Sequence, residues 1–432
     1  MSKITFLGAG STVFVKNVLG DVMLTEALQG FELALFDIDA ERLSDSERLL
    51  NSMAASLGSR CTVKAYSDRK AALRGAKYVI NAIQVGGYDP CTITDFEVPK
   101  KYGLRQTIGD TLGIGGIFRN LRTIPVMLDF ARDIQEVCPD AWFLNYTNPM
   151  AVLTNVMNTH GGVRTVGLCH SVQVCMPHLF EALGMDPNGV ETKIAGINHM
   201  AWLLEVKRNG EDLYPEIKRR AAEKQKEIHN DMVRYELMFR FGYYVTESSE
   251  HSAEYHPYFI KRSYPELIER FNIPLDEYPR RCINQIEGWA KMREKLFASE
   301  RIEHTRSLEY ASYILEAMET NRPYKIGGNV MNTGLITNLP TETCVEVPCL
   351  VDASGVTPTY VGALPPQLAA LNRTNINTQL LTIEAAMTGK KEHIYHAAML
   401  DPHTAAELSI DDIVALCDDL IEAHGDWLPA YK

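Results

Sequence analysis

Two short segments carry side chains that bind metals and move protons. The first is Cys169-His170-Ser171, which follows a predicted strand, and the second is Asn198-His199, about 30 residues further along the chain. Neighbouring residues of an extended chain point to opposite sides, so Cys169 and His170 are not expected to bind one ion together. Cys169 with the distant His199 is the better ligand pair, which leaves His170 free for proton transfer. A small buried cysteine and a hydrogen-bonded structural histidine are the alternatives.

The N-terminal residues predict a dinucleotide site. A strand runs into a glycine turn, an amphipathic segment follows, and the next strand ends at Asp37. Glycines let the backbone approach a pyrophosphate at a helix N-terminus, and a carboxylate after the second strand binds ribose hydroxyls, which favours NAD over NADP. The third glycine of the usual pattern is absent, because Val13 holds its place. The predicted contacts to NAD are Gly8, Gly10, Ser11, Thr12 and Asp37, together with Gly86 after the fourth strand.

The elements around these residues predict an α/β fold. Six short apolar runs alternate with longer amphipathic segments, which is the pattern of a parallel sheet covered by helices on both faces. We therefore expect an N-terminal, Rossmann-like, doubly wound parallel sheet over residues 1–195. Its predicted strands are Lys3–Leu7, Phe31–Phe36, Cys61–Tyr66, Tyr78–Val85, Ala141–Asn145 and Arg164–Leu168.

The pattern changes after residue 195. A strand is predicted at Ala201–Lys207, polar helical stretches follow over Tyr214–Phe241, and a β-rich patch covers Val330–Tyr360. We interpret residues 196–432 as one α+β domain for substrate binding and oligomerisation. Its later helices are predicted at Pro366–Thr388, Glu392–Ala398 and Ile410–Ala423.

Composition narrows the class of protein. The chain has 432 residues, and 55 Asp and Glu outweigh 43 Lys and Arg to give a net charge of −12, which disfavours a nucleic-acid partner. No apolar run is long enough for a membrane helix, and the first residues do not form a signal peptide. The nine cysteines include no CxxC pair, which favours a reducing compartment. We expect a soluble, cytoplasmic protein.

Taken alone, the NAD site suggests a hydroxy-acid dehydrogenase, but motifs along the whole chain resemble a different group. The chain is similar to glycoside hydrolase family 4, the NAD- and metal-dependent glycosidases. Within that family, Cys-His-Ser-Val resembles the bacterial α-galactosidase subgroup. The motifs that carry the resemblance are ITFLGAGST, VINAIQVGGY, GDTLGIGGIFRNLRTIP, WFLNYTNPM, GLCHSV, AGINHMAW and FGYYVTESSEHSAEYHPYF.

The resemblance implies roles for the residues that match the family motifs. Cys169 and His199 correspond to ligands of a divalent ion, expected to be Mn²⁺, and His170 to the acid that protonates the leaving oxygen. The implied reaction is oxidation at sugar C3, deprotonation at C2, elimination at C1, addition of water and re-reduction, with no net oxidation. The base is a tyrosine in some members of the family. We assign it to Tyr244, with Tyr243 and Tyr255 left open.

The same resemblance places Asn148 beside the sugar, and we add Arg119 and His251 as substrate contacts. Glu247, Glu250 and Glu254 crowd the segment around His251 and are further candidates for sugar hydroxyls, unless this is only a solvated acidic loop.

No Lys or Arg lies between Tyr88 and Lys100 to hold a sugar phosphate, so an unphosphorylated α-galactoside such as melibiose is the expected substrate. An α-glucoside, or an α-galacturonide bound through Arg105, Arg119 or Arg280, remains an alternative. So do an NAD-dependent hydroxy-acid dehydrogenase and a non-catalytic NAD sensor. We expect a homodimer or homotetramer.

Overall fold

A computed structural model of the chain describes residues 2–298 and 302–432. Its N-terminal part is a parallel sheet in the order β3-β2-β1-β4-β5-β6, which confirms the predicted doubly wound fold. Successive strands are joined by helices, so the sheet is covered and its central strands are buried on both faces. The strands are β1 Lys3–Leu7, β2 Glu32–Phe36, β3 Thr62–Tyr66, β4 Ala76–Asn81, β5 Trp142–Asn145 and β6 Thr165–Gly167.

The sheet does not end at β6. Antiparallel strands from the second half continue it in the order β6-β11-β12-β7-β8-β10, while β9 pairs with β8 and β13 pairs with β12. The expected division at residue 195 falls inside β7. These strands are β7 Val190–Ile197, β8 Met200–Arg208, β9 Glu211–Asp212, β10 Tyr244–Val245, β11 Tyr324–Met331, β12 Cys344–Asp352 and β13 Gly355–Pro358.

Two junctions in the sheet are narrow: the seam between its parallel and antiparallel parts, and the junction of β7 with β12 within the antiparallel part. β6 meets β11 at one register pair, Gly167 with Asn329, and β7 meets β12 at one pair, Gly196 with Glu346. A Cβ atom on Gly167 would lie 2.6 Å from the sulfur of Met150, so only glycine fits there. Gly167 precedes Cys169 by two residues, and Gly196 precedes His199 by three. The two junctions therefore bring Cys169 and His199 to the same region of the sheet.

The helices pack on the two faces of this sheet and at its ends. The long α5 is buried along most of its length and contacts α6 and α14, so it links the N-terminal part to the C-terminal helices. None of the helices that the structure describes is both long and apolar enough to cross a membrane. The first nine helices are α1 Thr12–Leu24, α2 Ala40–Leu57, α3 Arg69–Leu73, α4 Ile93–Lys101, α5 Gly113–Val137, α6 Met150–Thr159, α7 His170–Ala182, α8 Tyr214–Lys224 and α9 Met232–Phe241.

The C-terminal helices follow the predicted positions closely, and α14 and α17 begin at the predicted residues. The eight remaining helices are α10 Ser249–Glu254, α11 Glu266–Arg270, α12 Glu277–Ala298, α13 Ala311–Thr320, α14 Pro366–Thr388, α15 Lys391–Leu400, α16 Pro402–Glu407 and α17 Ile410–His424.

Most of the predicted N-terminal strands differ from the observed ones by at most one residue at each end, but the fourth strand ends much earlier than expected. The fourth strand was predicted over Tyr78–Val85, but β4 ends at Asn81. Beyond that residue the backbone carbonyls bind side chains instead of a neighbouring strand: the Thr147 hydroxyl donates to the Ile83 carbonyl at 3.1 Å, and Arg122 Nε donates to the Val85 carbonyl at 3.2 Å. Apolar composition alone does not reveal such side-chain partners.

Candidate active site

Three side chains with metal-binding atoms meet at the carboxyl end of β6. The Cys169 sulfur, a nitrogen of His199 and a carboxylate oxygen of Glu247 lie within 4.8 Å of one another. Cys169 is the residue before α7, His199 forms the tight turn between β7 and β8 with φ 64°, and Glu247 follows β10. The structure thus brings together the two predicted ligands and adds a third donor. Sulfur, imidazole and carboxylate together suit a divalent transition metal.

The electrostatics of the three donors favour a bound cation. Burial raises the pKa of the Cys169 thiol far above its ordinary value, and the neighbouring carboxyl groups of Glu346 and Glu247 raise it further. Burial lowers the pKa of His199, so its ring is neutral and offers a lone pair. Burial would raise the pKa of Glu247, but His251, His199 and the donating Ser248 N–H outweigh it and lower the pKa to about 2. The His199 ring is neutral and the Glu247 carboxylate is ionised, so both can bind a cation, and the Cys169 thiol ionises when a cation is present.

Of the three tyrosines left open as bases, Tyr255 is the one whose hydroxyl contacts this cluster. Its oxygen lies 3.0 Å from Nδ1 of His199, and the two rings stack at 6.2 Å. Tyr244 instead donates to the Asp231 carboxylate at 2.5 Å, with the Arg234 guanidinium 4.6 Å from its ring centroid. Burial raises the pKa of both phenols well above 10. The Tyr244 hydroxyl is therefore held by a carboxylate outside the cluster.

His170 is the first residue of α7, and its side chain is half exposed. Its Nε2 lies 2.7 Å from the Glu309 carboxylate, a residue that the sequence analysis did not single out. Burial lowers the pKa of His170, but the hydrogen bond and charge of Glu309 outweigh it, so the pKa is raised above its ordinary value. The raised pKa favours the protonated ring, which is the form that a proton donor requires.

The acidic segment around His251 divides into residues near the cluster and residues that hold the backbone. The His251 ring lies 5.1 Å from the His199 ring, and its Nδ1 is 2.7 Å from the Ser248 hydroxyl. Glu254 accepts backbone N–H bonds from residues 107–109 and fixes the loop ahead of α5. Glu250 is paired with Arg281. His251 and Glu247 thus lie at the site, whereas Glu250 and Glu254 serve packing contacts.

Asn148 and Arg119 lie together near the loop that follows β5. Arg119 Nε donates to the Asn148 carbonyl at 3.3 Å, and its Nη1 donates to the Tyr278 hydroxyl at 3.2 Å. The Asn148 side-chain oxygen is buried and accepts no hydrogen bond from the described residues. Such a group is costly unless a ligand or water satisfies it, which is consistent with a substrate contact.

The glycine turn has the geometry of a phosphate-binding loop. Gly8 has φ 88°, and a Cβ atom on it would lie 2.6 Å from the Ala82 carbonyl oxygen. The Gly10 N–H donates to the Asp37 carboxylate at 2.6 Å, so Asp37 both holds the turn and lies beside it. No side chain caps the start of α1 at Ser11, which leaves backbone N–H groups for an anion.

Two other predicted cofactor contacts have internal roles as well. The Thr12 hydroxyl lies 3.0 Å from the Ser46 hydroxyl inside the fold. Gly86 has φ 83°, and a Cβ atom there would lie 2.2 Å from the Cys91 sulfur. Packing alone therefore requires glycine at position 86.

Comparison with known proteins places these residues in context. The sequence model of a protein family described as family 4 glycosyl hydrolase matches residues 3–185. The family model of its C-terminal domain matches residues 194–404. The alpha-galactosidase of Bacillus subtilis (strain 168) is 67% identical over 432 residues, which is 100% of both chains. The alpha-galactosidase of Rhizobium meliloti (strain 1021) is 36% identical, covering 99% of this chain and 89% of the relative.

The fold has also been solved with ligands. A 6-phospho-alpha-glucosidase from gut microorganisms, crystallised with NAD and Mn²⁺, superposes with a TM-score of 0.83 at 22% identity, covering 100% of this chain and 99% of that chain.

Proposed function

The chain belongs to family 4 of the glycosyl hydrolases, and from this premise we propose that it hydrolyses terminal α-galactosides such as melibiose, using NAD and Mn²⁺. The observation that carries the proposal is the full-length similarity to an alpha-galactosidase at 67% identity. The cluster of Cys169, His199 and Glu247 supports it, because its donor set suits the cation that such a reaction needs. The buried Asn148 oxygen, which has no hydrogen-bond partner among the described residues, supports a ligand that carries hydroxyl donors.

The residues present fit both cofactors. The uncapped start of α1 with Gly8 and Gly10 would hold the pyrophosphate of NAD, and Asp37 its adenosine ribose. Cys169 and His199 would hold the cation, with Glu247 as a further oxygen ligand. When bound, NAD⁺ accepts hydride from sugar C3 and returns it, while the divalent cation draws negative charge from the neighbouring sugar oxygens.

The protein's own residues move the protons. We assign the base that takes the C2 proton to Tyr255 in place of Tyr244, because the Tyr255 hydroxyl lies at the cluster and the Tyr244 hydroxyl binds Asp231. Removal of a proton by a phenol at neutral pH requires a nearby cation to lower the phenol pKa. His170 protonates the leaving oxygen at C1, since Glu309 raises its pKa and so favours the protonated ring.

Two of the three candidate arginines favour a neutral sugar over a uronide, and the third favours the uronide. Arg105 and Arg280 are paired with Asp276 and Glu277, so their charge is already compensated. Arg119 supports the second candidate, an α-galacturonide: it is buried, and no ion pair to it is present among the described residues. A carboxylate at sugar C6 would be a suitable partner for that guanidinium.

Assembly and location complete the proposal. We place substrate binding and oligomerisation in residues 196–432 and infer a homodimer or homotetramer. Exposed apolar side chains recur on α12 at Ile283, Ile286 and Met292, a pattern that supports burial against a second copy. All nine cysteines are free thiols in the structure, which supports a cytoplasmic location.

The deciding experiment compares nitrophenyl α-galactoside, α-glucoside and α-galacturonide as substrates of the purified protein with NAD⁺ and Mn²⁺. We expect aglycone release from the galactoside with no net NADH at the end of the reaction. Preference for the galacturonide, reduced in an Arg119→Lys variant, would support the second candidate. Stoichiometric NADH would contradict both and favour a dehydrogenase.

A further inference from the structure

Residues 302–310, between α12 and α13, cross the N-terminal domain and reach the active site; we call this segment the strap. It is fixed at both ends by hydrogen bonds to distant parts of the chain. Near its start, the Ile302 N–H donates to the Ser56 hydroxyl of α2 at 3.1 Å. At its end, the Tyr310 hydroxyl donates to the carbonyl of Cys169 at 2.8 Å. The strap therefore joins the nucleotide-binding helices to the residue before α7.

The middle of the strap is held by a buried carboxylate on α1. Asp21 has no exposed surface and accepts from the Ser307 N–H at 2.8 Å and the Ser307 hydroxyl at 2.6 Å, with His304 Nε2 2.7 Å away. The His304 ring lies directly over Gly20, where a Cβ atom would come within 2.6 Å of it. A buried acid with three partners and a glycine that makes room for a ring form a specific docking site.

This docking fixes Glu309. The Glu309 N–H donates to the Ser307 hydroxyl at 3.1 Å, so a continuous chain of hydrogen bonds runs from Asp21 to the backbone of Glu309. The Glu309 side chain is 12% exposed, and its carboxylate lies 2.7 Å from Nε2 of His170. The described residues provide no other hydrogen bond to His170.

Aromatic rings limit the remaining freedom of His170. Its ring centroid is 6.5 Å from Phe14, 6.0 Å from Tyr146 and 6.4 Å from Tyr310. These rings restrict how the imidazole tilts but do not decide which nitrogen faces which side. The carboxylate makes that choice, because it binds Nε2 and leaves Nδ1 available.

We propose that Glu309 is a positioning residue for the active-site acid: it holds the His170 ring in one rotamer, with Nδ1 as the nitrogen that meets the leaving oxygen. The proposal rests on the proposed function in that it takes His170 to be the acid. A histidine oriented by a carboxylate on its other nitrogen delivers its proton along a defined line. The strap thus makes leaving-group protonation depend on contacts with the nucleotide-binding helix α1.

The test compares Glu309→Ala and Glu309→Gln on melibiose and nitrophenyl galactoside, with NAD⁺ and Mn²⁺ supplied. We expect Glu309→Ala to lower kcat on melibiose by roughly 10- to 100-fold, the usual effect of removing such an orienting partner, and to change kcat on nitrophenyl galactoside less than about threefold. Glu309→Gln should recover part of the loss, because its amide oxygen still accepts from Nε2. Glu316→Gln is the matched control, since Glu316 pairs with Arg306 of the strap and does not touch His170.

The double variant His170→Ala/Glu309→Ala separates positioning from a structural role. If Glu309 acts through His170, the double variant loses no more activity on melibiose than His170→Ala alone. Losses that multiply, or equal losses on both substrates, would overturn the proposal.

A readout without turnover separates this proposal from the proposed function. Nitrogen NMR of the ¹⁵N-histidine-labelled protein is recorded at a pH where the His170 ring is neutral, with its signals assigned from His170→Ala. It should show the hydrogen on Nε2 in the wild type and a mixture of the two neutral tautomers in Glu309→Ala. If the protein released no aglycone, the proposed function would fail while this spectrum still decides the orientation. An unchanged spectrum in Glu309→Ala would refute the positioning role.

Discussion

Two histidines at the same site have opposite surroundings. His170 starts a helix, is half exposed and has a carboxylate 2.7 Å from Nε2, so its pKa is raised. His199 lies in a strand turn, is buried, and has the Tyr255 hydroxyl 3.0 Å from Nδ1, so its pKa is lowered by burial. One environment favours a ring that carries an extra proton, and the other favours a ring that offers a lone pair. Both residues are histidines, so it is their surroundings that make His170 suited to act as an acid and His199 suited to bind a metal.

The test with the largest expected effect removes a ligand of the metal site. Cys169→Ala should abolish turnover by about a thousandfold or more, because loss of the thiolate ligand forfeits several kcal/mol of charge stabilisation. Replacement of His170 in this variant should then cause no further loss of turnover on any substrate. Activity on nitrophenyl galactoside and Mn²⁺ affinity are the measurements.

Cys175→Ala is the control for that variant, since Cys175 is buried within α7, the helix that follows Cys169, and lies outside the cluster. Wild-type turnover by Cys169→Ala without added metal would show that the cluster is not the metal site.

The second test concerns the tyrosine beside His199. Tyr255→Phe should lower kcat by roughly 10² to 10⁴ and suppress incorporation of solvent deuterium at C2 of released galactose, because the base is missing. Tyr244→Phe should retain exchange and lose about 1–3 kcal/mol of folding free energy, since Asp231 loses a buried donor. Mass spectrometry of the sugar and urea unfolding measure the two effects. The reverse pattern would return the base to Tyr244.

The third test isolates His170. His170→Ala should cost roughly 10² in kcat on melibiose, whose alkoxide needs a proton, and little on nitrophenyl galactoside, whose leaving group departs unprotonated. The ratio of the two rates is the measurement. Equal losses would assign His170 to substrate or metal positioning, and no loss on either substrate would leave it a structural residue.

The smallest expected effect extends the contrast to a third histidine. Burial lowers the pKa of His256 to about 4, while the unfolded chain keeps the ordinary value near 6.5. Above pH 6.5 this group costs nothing; as the pH falls toward 4, the unfolded state takes up a proton that the folded state refuses. The free energy of unfolding should therefore drop by about 2 kcal/mol between pH 7 and pH 5 from this residue.

His256→Asn keeps a donor for the Ser252 carbonyl and should make that pH dependence shallower. Urea unfolding of both proteins at the two pH values measures the difference. An equal pH dependence of unfolding in the two proteins would mean that His256 has the same pKa in the folded and the unfolded state.

The sequence predicted the parts of this molecule that are local. All six N-terminal strands exist. The central strands β1 and β4 are mostly apolar and almost entirely buried, whereas the edge strand β3 is partly exposed and is held by its pairing with β2. The pairing of Cys169 with His199 was also accessible, since both follow strand ends. In contrast, β7 escaped prediction because its first half is mostly polar, and only its end is buried.

The partners of the site side chains required the structure. Glu309 lies 139 positions from His170, in a segment without periodicity, and nothing in its neighbours marks it. The choice of Tyr255 over Tyr244 depends on where each hydroxyl points in the folded chain: Tyr244 lies in β10 and donates to Asp231, whereas Tyr255 follows α10 and contacts His199. Contacts between residues so far apart in the sequence arise from tertiary packing, which one amino-acid sequence does not reveal.

The narrow seam in the sheet sets a rule for hybrid enzymes. Gly167 is the point where the parallel part of the sheet meets the antiparallel part, and Gly196 is the point where β7 meets β12 within the antiparallel part. A Cβ atom on Gly196 would lie 2.5 Å from the Met200 carbonyl oxygen. A recombinant chain that takes its second half from a relative must therefore keep glycine at both crossings, with Asn329 and Glu346 opposite them. With those four positions preserved, exchange of the distal strands and helices offers a route to new sugar preferences on an unchanged cofactor platform.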